Sequence, residues 1–164
     1  MAILNIIAYP NPILRKKSKA IGKVTPEIKR LVVDMIATMQ AAPGIGLAAP
    51  QVGQNIRLIV IDIGKGPIVV INPKIVKKAG KQTFTEGCLS LPGIEGPVER
   101  AAQVTVKGLD KNGKPAEFCA EGMLATVFQH EIDHLDGKVL IDRVKDPALI
   151  KYVPREKEPK EEML

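Results

Sequence analysis

Tryptophan is absent from the 164 residues, and only two tyrosines and three phenylalanines are present. With aromatics at 3%, the stacking platforms that hold single-stranded nucleic acid are not expected. Cysteine is as scarce: Cys88 and Cys119 imply no disulfide framework. No apolar run reaches the roughly 18 residues of a membrane span. The opening "MAILNIIAYPNPILRKK" is broken by Pro10 and Pro12 and lacks a small-residue cleavage site, so no signal peptide is expected. The cytoplasm is the default location. There a lone cysteine reads more readily as a thiolate ligand or nucleophile than as half of a disulfide. No internal repeat and no second domain are visible.

What is present suits one globular core. The chain is 45% hydrophobic and 26% charged, as in soluble domains. A net charge of +6 favours anionic neighbours such as RNA without establishing binding. We expect one catalytic domain over residues 1–145 and a charged tail over 146–164, broken by Pro154 and Pro159 and partly disordered.

Residues 1–24 read as an irregular arm. "TPEIKRLVVDMIATMQ" reads as a helix, with Thr25 as N-cap and Pro26 at the first helical position. Ile28, Leu31, Val32, Met35, Ile36 and Met39 form its apolar stripe. "GIGLAAPQVGQ" reads as a Gly-rich loop. "IRLIVIDI" and "PIVVINP" read as strands, and "QVTVKGLDKNGKPAEFCA" as a hairpin turning at Asp110 to Gly113. A second helix is expected from near Glu121 to Gly137, which suits a C′ position. "KVLIDRV" reads as a short strand.

The only two histidines lie in that second helix, in "VFQHEIDHLDG". The order His130-Glu131-x-x-His134 makes two metal ligands and a general base when it is helical. At about 100° per residue, Met123, Val127, His130 and His134 share a narrow sector, flanked by Glu131, Leu124 and Leu135. Gln129, Asp133, Asp136 and Thr126 fall on the other side, where Asp133 and Asp136 are expected to be solvated; the alternative, that Asp133 orients an imidazole from behind, is disfavoured by its place on the wheel. The bland reading is a buried histidine pair held by hydrogen bonds. A carboxylate between them on the same inward sector is costly to bury, and a divalent cation would offset that cost.

A catalytic metal usually takes three protein ligands and keeps one position for water. No histidine follows His134, and the later glutamates sit in the tail, which argues against the usual layout of His-Glu-x-x-His proteases. Upstream, "EGCLSLPG" places Cys88 in a Gly/Pro-bounded segment between two strand-like segments. Cys119 alternates with strand neighbours and is expected in the core. Glu86 and Arg100 are either a supporting ion pair or two solvated charges. "GIGLAAPQVG" has no Lys-Ser/Thr ending, so nucleotide binding is rejected. Gln51 is its one side chain able both to donate and to accept.

The motifs "GIGLAAPQ", "EGCLS" and "QHEIDH", in that order, resemble the peptide deformylase family, and the opening "YPNPILRKKSKAI" looks like that family's N-terminal arm. The resemblance covers about residues 5–145. It implies an α+β fold: mixed or antiparallel sheets around a central metal-binding helix, with the N-terminal helix outside. It implies hydrolysis of the N-formyl group from formyl-methionyl nascent chains, releasing formate. Cys88, His130 and His134 then match the metal ligands, with water as the fourth. Glu131 matches the general acid/base. Gln51 and the Leu89 N–H match the donors to the formyl carbonyl oxygen. The metal implied is often Fe2+, with Zn2+ and Ni2+ as alternatives. Ile45, Met123 and Val127 are candidates for the methionine pocket, with Phe84 behind them. The backbone around Gly46 and Leu89 is expected to pair with an extended peptide.

We expect a monomer. Transient ribosome association is a further implication of the resemblance, although the tail counts against it. From Lys145 onward it holds five basic residues (145, 151, 155, 157, 160) and five acidic ones (146, 156, 158, 161, 162), rather than a long basic helix. Glu95 stands in "IEGPVER" where many family members carry a basic residue. A metallopeptidase acting on internal bonds and a non-enzymatic metal-stabilised binding module are the rival readings.

Overall fold

The computed structural model describes residues 1–153. The expected disorder of the tail falls largely on 154–164, outside the described residues. Two helices and eight strands occur in the order α1 (Pro26–Ala41), β1 (Gly46–Ala48), β2 (Leu58–Ile61), β3 (Ile68–Ala79), β4 (Gln82–Cys88), β5 (Leu91–Arg100), β6 (Gln103–Leu109), β7 (Pro115–Glu121), α2 (Gly122–Leu135) and β8 (Lys151–Tyr152). One sheet runs β1-β2-β3-β6-β7 and the other β4-β5-β8. Every ladder is antiparallel, so the expected α+β architecture is what the chain adopts.

The run "LIVI" of β2 is continuously apolar because both of its faces are covered. Ile59 and Ile61 join the cluster around α2, with Val127, Phe128 and Leu135. Leu58 and Val60 join the cluster around α1, with Val32, Met35 and Met39. Period-two alternation of the strand thus assigns alternate residues to two helices on opposite faces. Helix α1 lies outside, as expected, and the Thr25 side chain accepts from the Ile28 N–H.

Helix α2 is enclosed instead of amphipathic. Every residue from Ala125 to Leu135 is buried, including Thr126, Gln129 and Asp133. Its final carbonyls are taken by the N–H groups of Gly137, Lys138 and Ser18 and by Arg57, which satisfies groups that a helix end otherwise leaves open. Gly137 has φ +74, and a Cβ there would run into the Arg15 carbonyl, so this C′ position requires glycine.

Two local expectations are corrected. The segment "GIGLAAPQVGQ" is not wholly loop: it forms edge strand β1 and a 3-10 turn, Ala49–Val52. "KVLIDRV" is not a strand but contains a 3-10 turn, Leu140–Asp142. Asp142 accepts from the Val139 N–H at 2.8 Å and pairs with Arg15. Val139, Leu140 and Val144 turn inward against Cys88, Leu91 and Val98. A short apolar run is helix-strand ambiguous by itself, and here the local cap decides. Downstream, Lys151 and Tyr152 pair with Glu95 and Ile94 of β5.

Candidate metal centre

Cys88 ends β4 at the tip of the β4-β5 hairpin. The register is regular from Gln82↔Arg100 to Gly87↔Glu95, then shifts so that Cys88 faces Leu91. Such irregularities re-aim a side chain beside a site. The two-residue turn after it is anchored on both sides: Leu89 packs in the α1 cluster and Leu91 against Val98.

The thiol thus meets the two histidines of α2. One ligand atom from each of Cys88, His130 and His134 lies within 4.8 Å of the others, and all three residues are buried. Cys88 Sγ is 3.3 Å from His134 Nε2, and the imidazole rings are 5.0 Å apart. His130 Nδ1 lies 2.8 Å from Glu86 Oε1. With that nitrogen donating to the carboxylate, the lone pair of Nε2 is left facing inward. His130 Nε2, His134 Nδ1 and both oxygens of Glu131 are buried with no partner among the described residues. Orphaned polar atoms at this depth are rare in native proteins. A thiolate and two imidazoles in one closed cluster are a donor set for a soft or borderline divalent metal. The residues present therefore fit such an ion.

The electrostatics point the same way. Burial opposes a charge on His130, but the adjacent Cys88 sulfur and the hydrogen bond to Glu86, with Glu131 nearby, hold its pKa up at about 10. Burial, then the neighbouring His130 charge, pushes His134 well below its ordinary value. Burial lifts Glu131 to about 7, with the His130 charge working against it.

Gln51 is fully buried beside this cluster. Its Oε1 accepts from the Ala48 N–H at 2.9 Å, which fixes the amide orientation. Nε2 then points to Ser90 Oγ at 3.1 Å and Cys88 Sγ at 3.7 Å. The Leu89 N–H has no partner among the described residues. The N-terminal arm holds both donor segments: the Ile7 N–H donates to the Gln51 carbonyl and the Tyr9 N–H to the Ser90 carbonyl, each at 2.7 Å. Ile45 and Met123 pack against the cluster that contains Val127. Phe84 is half-buried on the other sheet, opposite Val98. Gly46 adjoins Glu131, where a Cβ would overlap the carboxylate.

The remaining charged and sulfur side chains resolve as follows. Glu86 and Arg100 form a buried two-pronged ion pair at 2.7 and 2.9 Å. Asp133 is not solvated: it is buried and paired with Arg100 and Arg143. Its pKa falls below the ordinary value because these guanidinium contacts outweigh the cost of burial. Asp136 is exposed, as expected, and pairs with Arg57 at 3.0 Å. Cys119 is exposed rather than in the core. Its neighbour Ala120 faces inward, so strand alternation turns Cys119 out. Sequence reasoning gave no role to Ser90 or Arg143. Arg143 lay inside a run read as strand, which hid its reach to α2.

An α+β fold that buries Cys, two His and an unpaired Glu around one point defines a metal-dependent hydrolase centre. The sequence matches the polypeptide deformylase family model over residues 3–149. It is 52% identical over 145 residues to a peptide deformylase of Desulforudis audaxviator, covering 87% of this chain and 94% of that protein. The crystal structure of a peptide deformylase from Legionella pneumophila superposes with a TM-score of 0.85 at 48% identity, covering 88% and 87% of the two chains. One from Synechococcus elongatus, solved in complex with actinonin, gives 0.86 at 44%, covering 88% and 80%. The chain belongs to the peptide deformylase family, metal-dependent hydrolases that remove the N-formyl group from nascent polypeptides.

Proposed function

We propose that Cys88, His130 and His134 hold one divalent metal, that Glu131 is the general acid/base, and that Gln51 and the Leu89 N–H receive the formyl carbonyl oxygen. The observation that carries the reading is the buried Glu131 carboxylate, partnerless among the described residues beside a closed Cys-His-His cluster. A metal bound there would acidify a water and polarise the carbonyl.

The remaining steps belong to side chains of this protein. Glu131 accepts a proton from the attacking water, and a lifted pKa suits it to do so near neutrality. A C–O bond forms at the formyl carbon, and charge grows on the carbonyl oxygen. Gln51 Nε2 and the Leu89 N–H meet that charge from preset positions. Glu131 delivers its proton to the amine as the C–N bond breaks, leaving formate and a free N-terminus. Ile45, Met123 and Val127 take the methionine side chain. The backbone at Gly46, on the edge strand β1, pairs with the extended peptide.

We assign Fe2+ as the native metal, with Zn2+ and Ni2+ able to occupy the same donors. We place the enzyme in the cytoplasm as a monomer with one catalytic domain. No helix among the described residues is long and apolar enough to cross a membrane. Transient contact with the ribosome is the remaining part of the reading, and co-sedimentation tests it. The deciding experiment for the site is formate release from formyl-Met-Ala-Ser by anaerobically purified protein. Wild type should release formate, and Glu131→Ala should bind metal without doing so. Wild type that holds stoichiometric metal but releases no formate, or an active Glu131→Ala, defeats the assignment.

A further inference from the structure

We propose that Arg143 is a positioning residue for the metal ligand His130, acting through Asp133, Arg100 and Glu86. The inference rests on the ligand assignment above.

Four charged side chains form one line from the surface to the ligand. Arg143 grips Asp133 with Nε and Nη2 at 3.0 and 2.9 Å. Asp133 Oδ2 also accepts from Arg100 Nη1 at 2.9 Å. Arg100 embraces Glu86 with Nε and Nη2, and Glu86 Oε1 meets His130 Nδ1 at 2.8 Å. Side-chain exposure falls along this line: 44% at Arg143, 12% at Asp133, 5% at Arg100 and 1% at Glu86. Arg143 is the only member that water reaches freely.

The charges balance, with two cations and two anions. Without Arg143 the line carries a net negative charge, and Arg100 alone must serve both Asp133 and Glu86. Asp133 then draws Arg100 outward, and its two-pronged hold on Glu86 loosens. Glu86 is the group that orients the His130 ring, so the ring gains freedom where ligation needs it fixed. Partners behind a metal ligand matter in this way because they set both ring orientation and ligand basicity.

A simpler role would have Arg143 only fasten the turn Leu140–Asp142. That turn has its own fastener on its other side. Asp142 takes the Val139 N–H at 2.8 Å and pairs with Arg15, and among the described residues its side chain makes no hydrogen bond or ion pair with a member of the line. The two roles can therefore be separated by mutation.

The test loads wild type, Arg143→Met, Arg143→Lys and Asp142→Asn with Zn2+ and follows its release to excess chelator with a chromophoric indicator. Arg143→Met should release zinc about ten-fold faster than wild type, with a comparable fall in kcat and KM within about twofold. Arg143→Lys, which keeps the charge but not the two-pronged geometry, should fall between the two. Asp142→Asn should stay within about twofold of wild type. Release from Arg143→Met at the wild-type rate, or equal acceleration in Asp142→Asn, overturns the proposal. Should Arg143→Met fail to fold, Arg143→Lys decides, and a wild-type rate there overturns it. A wild type that retains no zinc overturns the ligand assignment and this inference with it. Retention with unaffected variants overturns the inference alone.

Discussion

Gly46 lies so close to Glu131 that a Cβ built on it would overlap the carboxylate. Edge strand β1 can approach α2 at this point only because residue 46 has no side chain. Glu131 is thus held by shape where it has no hydrogen-bond partner among the described residues. Gly46→Ala must move either the strand or the carboxylate. We expect kcat for formyl-Met-Ala-Ser to fall by about 100-fold, the lower end of what general acid/base catalysis contributes, with metal content unchanged. A kcat within twofold of wild type would show that Glu131 tolerates the displacement.

Arg100 is the single cation between two buried carboxylates, Glu86 and Asp133. Burial works against its charge, but the bonds to Glu86 and then the field of Asp133 keep its pKa raised. Arg100→Met leaves Glu86 with only the His130 ring and Asp133 with only the half-exposed Arg143. Breaking a buried pair in this way costs about 3–5 kcal/mol, which for a domain of this size lowers Tm by roughly 10 °C. Thermal denaturation followed by circular dichroism measures it. A drop below about 3 °C would mean the carboxylates find other partners.

Much of this arrangement was legible from the residue pattern, and each exception has its own cause. Thr25 and Pro26 mark the start of α1 because capping is local. The site came from three short segments whose residue types suit one chemistry. Asp133 was misjudged because a helical wheel separates apolar from polar sectors. It does not report that Arg100 and Arg143, distant in sequence, cover the polar side. The segment "KVLIDRV" was misjudged because seven residues of mixed character carry no decisive period, and the Asp142 cap overrides strand propensity. Cys119 was recoverable. Val104, Val106 and Ala120 face the core, and alternation from Ala120 places the thiol outside.

Asp142 links stability to pH. Burial raises its pKa, but bonds from Arg15 and the Val139 N–H outweigh this and lower it below 3.8. A carboxylate with a depressed folded-state pKa contributes stability that is fully present above the unfolded value and lost as pH falls through the folded one. Asp142→Asn should therefore cost about 0.5–1 kcal/mol at pH 7, the scale of a partly exposed pair. The difference from wild type should shrink below about pH 4. Urea midpoints at pH 7 and pH 3 check the sign, and a gap that widens in acid would contradict it.

The two cysteines should differ sharply toward alkylation. Cys119 is exposed, whereas Cys88 is buried in the Cys-His-His cluster. A thiol reagent needs access to the sulfur and a thiolate to attack, and metal ligation withdraws both at Cys88. Native metal-loaded protein should therefore take up one equivalent of iodoacetamide, at Cys119, with formate release unchanged. Cys119→Ser should take up none until a chelator or denaturant opens the site. Mass spectrometry of the labelled peptides reads the position directly. Loss of activity in step with the first label would place the accessible thiol at Cys88 and contradict the buried position on which the metal centre is built.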